Sequence, residues 1–247
     1  MTALLLLPAC MIEYGVDGKD PDVQAPIGDP EDAEYLALPD APVYANTSTT
    51  LYRLDEEELS TLGDFSEDGV PVDGMTDIAI DREGLVVGGT FDAIYTIDAE
   101  TAELTHVCDT DIVMYALAFS SDGRLFAGGD NVIEEIDLSD CSGSVLTTSQ
   151  YLTSGDLVGL PDGYLYWTVE GDDGDELVRL DPDNGFSQWV GVIGVERLFG
   201  LGFTNDELFG FSADGTIVAV DPDTAETFET STQGPGWWGA TTNPVVW

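Results

Sequence analysis

The chain has 247 residues, with 6 Lys+Arg against 49 Asp+Glu and a formal charge of −43. A hydrophobic content of 43% is too high for a disordered chain, and the length is ample for a sizeable core. The charge argues against nucleic acid and anionic membrane surfaces as partners, since both need a basic patch; the single histidine, His106, excludes multi-His metal sites and leaves little for a Ser-His-Asp or Cys-His device.

At the N-terminus an apolar run, Leu4 to Leu7, is followed by Pro8, the small Ala9 and Cys10. This resembles the end of a bacterial lipoprotein signal peptide, where a Leu-x-Ala/Gly-Cys box is cut before the cysteine and that thiol is acylated. Pro8 departs from the usual Ala, Ser or Thr, and no Lys or Arg precedes the run as in an ordinary leader. The resemblance implies a leader remnant over 1–10, lipidation at Cys10, and an exported envelope protein at the outer membrane or cell surface, touching the membrane only through its anchor. The other reading of these residues is an apolar end with a free thiol. Residues 11–42 are dense in Gly, Pro, Asp and Glu, as in Asp17-Gly-Lys-Asp-Pro-Asp22. Like charges repel and prolines block regular structure, so this segment reads as an acidic tether.

From residue 43 to 247 the chain repeats. Leu51-Tyr-Arg-Leu-Asp55 returns as Ile94-Tyr-Thr-Ile-Asp98, Ile133-Glu-Glu-Ile-Asp137, Leu177-Val-Arg-Leu-Asp181 and Ile217-Val-Ala-Val-Asp221, at steps of 43, 39, 44 and 40 residues. Period-two alternation makes each copy a strand, and the closing Asp starts a turn. Ahead of the last four copies stand Ile78-Ala-Ile80, Leu117-Ala-Phe119, Val158-Gly-Leu160 and Leu201-Gly-Phe203, each followed by a polar turn and a further short strand. Large residues alternating with Ala or Gly suit sheets packed closely face to face.

Each unit of about 40 residues thus holds four short strands, a to d, which is the signature of a β-propeller blade. The copies resemble the YVTN, NHL and quinoprotein-like propeller repeats. The expected fold is all-β: five blades of four antiparallel strands, with Trp238-Gly-Ala240 supplying the missing first strand of the N-terminal blade so that the two chain ends pair and close the ring. The alternative is six blades, using Leu36-Ala-Leu-Pro-Asp40 and Val245-Val-Trp247. Trp237, Trp238 and Trp247 can anchor a partner or cover the closing blade, the second being the plainer reading, and Tyr166, Trp167 and Trp189 read as packing residues.

Cys108 falls at the end of a strand d and Cys141 in the next blade's c–d turn. Two remaining cysteines in an exported chain invite a disulfide. Their positions argue against it, because those two points sit on opposite faces, roughly 13–20 Å apart, where bridged Cα atoms are ~5.5–6 Å apart.

Propellers bind ligands where the b–c and d–a loops meet above the central channel. Here that face gathers Asp77, Asp92, Asp130, Asp156 and Asp214, with Asp172, Asp173, Asp175 and Glu176 as the best candidates for a Ca²⁺ site; a solvated acidic loop is the plainer reading of these four. Asp77 and Asp156 are the inner-strand acids, and this reading places them in non-equivalent columns. The expected role is binding of an envelope protein, glycan or small ligand by a monomer. Two alternatives stay open: a metal-dependent hydrolase or lactonase-like enzyme using the channel acids, and a salt-adapted structural surface protein.

Overall fold

The computed structural model describes residues 42–55, 58–204, 207–232 and 234–242. Cys10, the acidic segment 11–41 and Val245–Trp247 lie outside the described residues. Every regular element described is a strand.

The strands form five four-stranded antiparallel sheets and one two-stranded ribbon, Ser66–Glu67 with Val70–Pro71, in the connection between the first two blades. Blade 1 takes strand a from Gly239–Thr241, then b, c and d from Val43–Asn46, Thr50–Asp55 and Glu58–Asp64. Blade 2 runs Asp77–Ile80, Val86–Gly89, Ala93–Ile97 and Leu104–Asp109. Blade 3 runs Ala116–Phe119, Leu125–Gly129, Val132–Asp137 and Ser142–Thr148. Blade 4 runs Thr153–Gly159, Leu165–Val169, Glu176–Leu180 and Ser187–Val192, and blade 5 Leu198–Thr204, Glu207–Ser212, Thr216–Val220 and Thr227–Thr232. The five inner strands touch one another in a closed circuit, blade 1 meeting both blade 2 and blade 5. The fold is a five-bladed β-propeller, and the six-bladed alternative is set aside. Closure comes from pairing Tyr44 with Thr241, Ala45 with Ala240 and Asn46 with Gly239, as the large–small pattern around residue 239 predicts.

There is no single central core. The buried apolar residues fall into five wedges, one between each pair of neighbouring blades. The wedge between blades 5 and 1 is built on Trp237, which is fully buried and meets Tyr52 and Phe211 edge-on at ring-centroid distances of 5.3 and 5.5 Å. Trp189 departs from the packing expectation. It lies on an outermost strand, 48% exposed, with its indole N–H donated to Glu176.

Four of the motif aspartates cap their c–d turn. Asp98 accepts the N–H groups of Glu100 and Thr101, Asp137 that of Ser139, Asp181 that of Asp183, and Asp221 those of Asp223 and Thr224. The donated bonds hold the carboxyls of Asp98 and Asp137 below the usual range. Four residues after each of these aspartates, the turn needs a left-handed residue: Ala102 (φ 60°), Cys141 (φ 54°), Gly185 (φ 71°) and Ala225 (φ 63°).

That position is also where neighbouring blades touch. It meets the strand-d residue paired with the first aliphatic of the preceding blade's motif: Gly63, Cys108, Thr147 and Gly191 oppose Leu51, Ile94, Ile133 and Leu177. A Cβ on Gly63 would come within 3.3 Å of the Ala102 methyl, one on Gly185 within 2.7 Å of Thr147, and one on Gly191 within 3.0 Å of the Ala225 methyl. At the seam between blades 2 and 3 the same two positions are Cys108 and Cys141, joined as a disulfide with Cα atoms 6.1 Å apart. The opposite-faces argument fails because strands rotate by roughly 20–25° each, and a bulge between Ile94 and Tyr95 adds to the twist. The end of strand d thus reaches the next blade's c–d turn.

This geometry makes a clean test. Two of the other seams already use Ala on the turn, Ala102 and Ala225. The double variant Cys108→Ser/Cys141→Ala should therefore keep the packing and lose only the cross-link, at a cost of about 2–4 kcal/mol. Urea unfolding should show the parent falling to the variant's midpoint on reduction while the variant ignores reductant. A parent midpoint indifferent to reductant would mean the bond contributes nothing.

Candidate functional site at the channel mouth

Strand a of each blade lines the channel, and its inner edge presents N–H groups with no neighbouring strand to accept them. Such groups, shut away from water, need acceptors. Asp77 and Asp156 supply them. Asp77 Oδ1 accepts the Ile78 N–H at 2.8 Å, and Oδ2 reaches across to blade 3 for that of Leu117 at 2.6 Å. Asp156 repeats this from blade 4, taking the N–H groups of Leu157 and, from blade 5, Leu201. It also accepts from Ala240 of the closing strand. The identical bonding shows that the two acids occupy equivalent columns, which corrects the sequence alignment. In blade 4 the turn begins one residue earlier than the pattern implies: Leu160 donates to Tyr164 O in the turn, as Ser120 donates to Arg124 O in blade 3. Gly159 therefore stands in a column that elsewhere holds Ile80 or Phe119. A Cβ there would run into the Phe119 carbonyl oxygen.

Both acids are fully buried and hydrogen-bonded to each other. Burial, then repulsion by Asp156, pushes the Asp77 carboxyl well above the usual range. Burial pushes Asp156 up to about 7, its donated hydrogen bonds holding it back. The pair retains a shared proton up to near-neutral pH. Its equivalents in the other blades are Ala116, Gly200 and Gly239, so the channel is closed by two carboxyls among small residues. Gly239 has no room for a side chain: a Cβ would strike Asp77 Oδ1 and lie 2.6 Å from Asn46 Oδ1. Asn46 is itself buried, donates its amide N–H groups to Thr47 O and Met75 O, and leaves its Oδ1 without a donor.

One residue earlier in the same column lies the rim: Thr76, Tyr115, Gly155, Phe199 and Trp238, one from each blade. With Phe91 from a b–c turn they surround a cup of about 160 Å³ directly above the acid pair. Phe91 and Tyr115 meet edge-on at 6.4 Å. Phe91, Tyr115 and Trp238 remain 57, 40 and 39% exposed. Sequence reasoning missed this rim because its members share no residue type. The available signal was position: each immediately precedes the inner strand's channel-facing residue.

The remaining sequence candidates do not converge on the cup. Asp92, Asp130 and Asp214 are exposed turn residues, Asp92 accepting from the Thr90 hydroxyl and Asp214 from the Thr216 N–H. Asp172 and Asp173 are exposed, whereas Asp175 turns inward behind the cup, accepting from Ser154 Oγ at 2.5 Å and Leu198 N–H at 2.6 Å. Burial raises its carboxyl despite these bonds. Glu176 turns the other way onto Trp189. These four are not gathered around one point, and among the described residues no three His, Cys, Asp or Glu side chains are placed to hold a metal. His106 lies on an outermost strand, 2.9 Å from Asp109.

No family model matches the chain, and no curated protein is similar to it. Solved structures are similar in fold. A chain of a nidogen/laminin complex superposes with a TM-score of 0.55 at 16% identity, covering 82% of this chain and 85% of its own. The WD40 repeats of RRP9 give 0.50 at 12% identity, covering 78% of this chain and 60% of their own. At these identities the likeness is one of propeller architecture alone.

Proposed function

We propose that the protein is an extracytoplasmic, lipid-anchored binding module that engages a partner protein through the channel-mouth face. The observation that carries this reading is the rim, where three exposed aromatic residues converge on a cup although the wedges below them are well filled. Aromatic side chains around a pocket are the usual anchors of protein interfaces. The cup, at about 160 Å³, is small beside the roughly 300–1,000 Å³ that drug-sized ligands occupy, which favours one inserted side chain over a glycan or a free small ligand. The similar chain from the nidogen/laminin complex comes from a protein–protein complex, which is compatible with such a role. The lipobox-like Ala9-Cys10 and the acidic stretch after it support an anchor and tether ahead of the head at 43–247. Acids spread over the outer turns keep that head soluble and steer basic partners towards it.

Two measurements test the reading in the native host. A photo-crosslinking phenylalanine analogue at Phe91, on the rim, should give a discrete adduct, and the same analogue at Tyr164, in a turn on the opposite face, should not. Equal labelling at both positions would overturn the assignment of the face. For the anchor, Cys10→Ser should abolish palmitate incorporation; incorporation that persists would remove it.

A further inference from the structure

The lining of the cup differs from the wedges beneath it. The wedges are filled mainly by Leu, Ile, Val and Ala. The cup has none of these: its apolar walls are Phe91, Tyr115, Phe199 and Trp238, and the rest is Thr76, Ser154 and Gly155. The planes of Phe91 and Tyr115 are 77° apart, so the two rings form adjacent walls rather than a stack. An apolar guest gains burial against any wall, but only ring faces add an attraction for positive charge. The setting is negative. The b–c and d–a connections around the cup carry exposed Asp73, Asp92, Asp111, Asp130, Asp172 and Asp214 against one basic side chain, Arg197, whose charge is felt by Asp214. Behind the walls, out of a guest's reach, stand three more carboxyls: Asp77 and Asp156 follow Thr76 and Gly155 in the chain, and Asp175 accepts from the Ser154 hydroxyl. The ionised members among them act on the cup through space, and burial leaves them little screened.

Ring walls in an acidic face select a cation, and the scarcity of acceptors selects which one. A primary ammonium brings three N–H donors and a tightly held hydration shell, and a guanidinium brings five donors. The side-chain oxygens lining the cup are hydroxyls, and two of them are already engaged, Thr76 with Gly89 O and Ser154 with Asp175. A trimethylammonium group has no N–H to satisfy and turns its methyl groups, which share the positive charge, to the rings. We propose that the cup is an aromatic cage for a trimethylammonium group, carried on a trimethylated lysine side chain of the partner protein. The lysine stem leaves towards solvent, where the exposed parts of Phe91, Tyr115 and Trp238 flank the partner's chain. Those exposed ring surfaces extend beyond the cup, and a free quaternary ammonium would leave them bare. This inference rests on the binding face assigned above and adds the chemistry of the side chain that enters it.

Calorimetric titration of the purified protein in 1 M NaCl, which screens the bulk attraction, tests it with three peptides: Ac-Gly-Gly-Lys-Gly-Gly-amide with its lysine trimethylated, the same peptide unmethylated, and the neutral isostere in which a tert-butyl group replaces the trimethylammonium. The trimethylated peptide should bind at least tenfold more tightly than the other two. Phe91→Leu, at an exposed position, keeps an apolar wall without a ring and should narrow the gap between the trimethylated and tert-butyl peptides. Trp238→Ala, also exposed, should weaken the trimethylated peptide at least tenfold, and both variants should keep the parent's melting temperature. Equal affinity for the trimethylated and tert-butyl peptides, tighter binding of the unmethylated one, or trimethyl-lysine binding untouched by Trp238→Ala would overturn the proposal. Choline binding as tightly as the trimethylated peptide would assign the cup to a free quaternary ammonium and overturn the lysine source. If no peptide binds while the Phe91 adduct still forms, the ammonium inference fails and the binding face stands; if both are lost, both fail.

Discussion

Replacing Asp156 by Ala should cost about 3–5 kcal/mol at pH 5, among the largest single-residue losses in this chain. The estimate follows from what the carboxylate does. It accepts N–H groups from three blades, those of Leu157, Leu201 and Ala240. Each buried donor left unpaired costs roughly 1–3 kcal/mol, and relaxation around the small residues lining the channel recovers part of the sum. Asp156→Asn should fall between parent and Ala, since one of its two acceptor atoms becomes a donor facing a donor. Urea unfolding at pH 5 measures both; an Ala variant within 1 kcal/mol of the parent would mean that water, not the carboxylate, serves these groups.

The same pair sets a pH dependence whose sign is opposite to that of the turn-capping carboxylates Asp98 and Asp137, which hydrogen bonds hold low. Burial raises the folded-state values of Asp77 and Asp156, the latter to about 7 from 3.8. Between those limits the folded state holds a proton that the unfolded chain has released, so stability falls as pH rises through this window. The contribution is complete below the unfolded value near 4 and is gone above about 7, and its size is roughly 2–4 kcal/mol. Asp175, raised by burial as well, acts in the same direction. Relief of surface self-repulsion at low pH has that sign too, but is screened by salt. In 1 M NaCl the parent should lose stability from pH 4.5 to 7.5, and Asp156→Asn should lose markedly less. Parallel pH profiles for the two proteins would show that the pair titrates like any exposed carboxylate.

The blade count and the closing strand were legible because they rest on local chemistry repeated five times. An Asp ends each copy of the motif, and in four of them it caps the c–d turn through its own side chain, a bond that needs no distant partner. The site was legible only in part. Asp77 and Asp156 stand out as acids beside inner strands, yet their equivalence is hidden because the turn at Leu160 begins one residue early, a shift fixed by contact with Phe119 in another blade. The seam that joins Cys108 to Cys141 depends on twist accumulated over four strands, which no residue pattern displays. The rim is set by the ring's geometry alone, so Thr76, Gly155 and Trp238 can share one column with no chemistry in common. Asn46 reads as an ordinary strand end; only the approach of Gly239 from the other end of the chain packs its oxygen beside Asp77.

Removing that approaching strand should have the largest effect of all. A chain ending at Gly236 loses Trp237, the fully buried residue between Tyr52 and Phe211, and with it most of the wedge between blades 5 and 1. A buried Trp is worth about 3–5 kcal/mol on its own. The truncation also strips the inner partner from Tyr44–Asn46, the Ala240 donor from Asp156, and the contact that shuts the ring between Leu201 and Ile78. These losses together approach the roughly 5–15 kcal/mol that holds a domain folded. The truncated head should therefore show no cooperative thermal transition at 25 °C and above by circular dichroism. A synthetic peptide of residues 234–247 added in excess should restore one, because the vacant edge of blade 1 and the cleft for Trp237 are both specified by the remaining chain. Restoration should fail with Trp237→Ala or Gly239→Val in the peptide, the first for want of the wedge and the second because a side chain at 239 collides with Asp77. A truncated chain that melts like the parent would mean that the ring holds together without its closing strand.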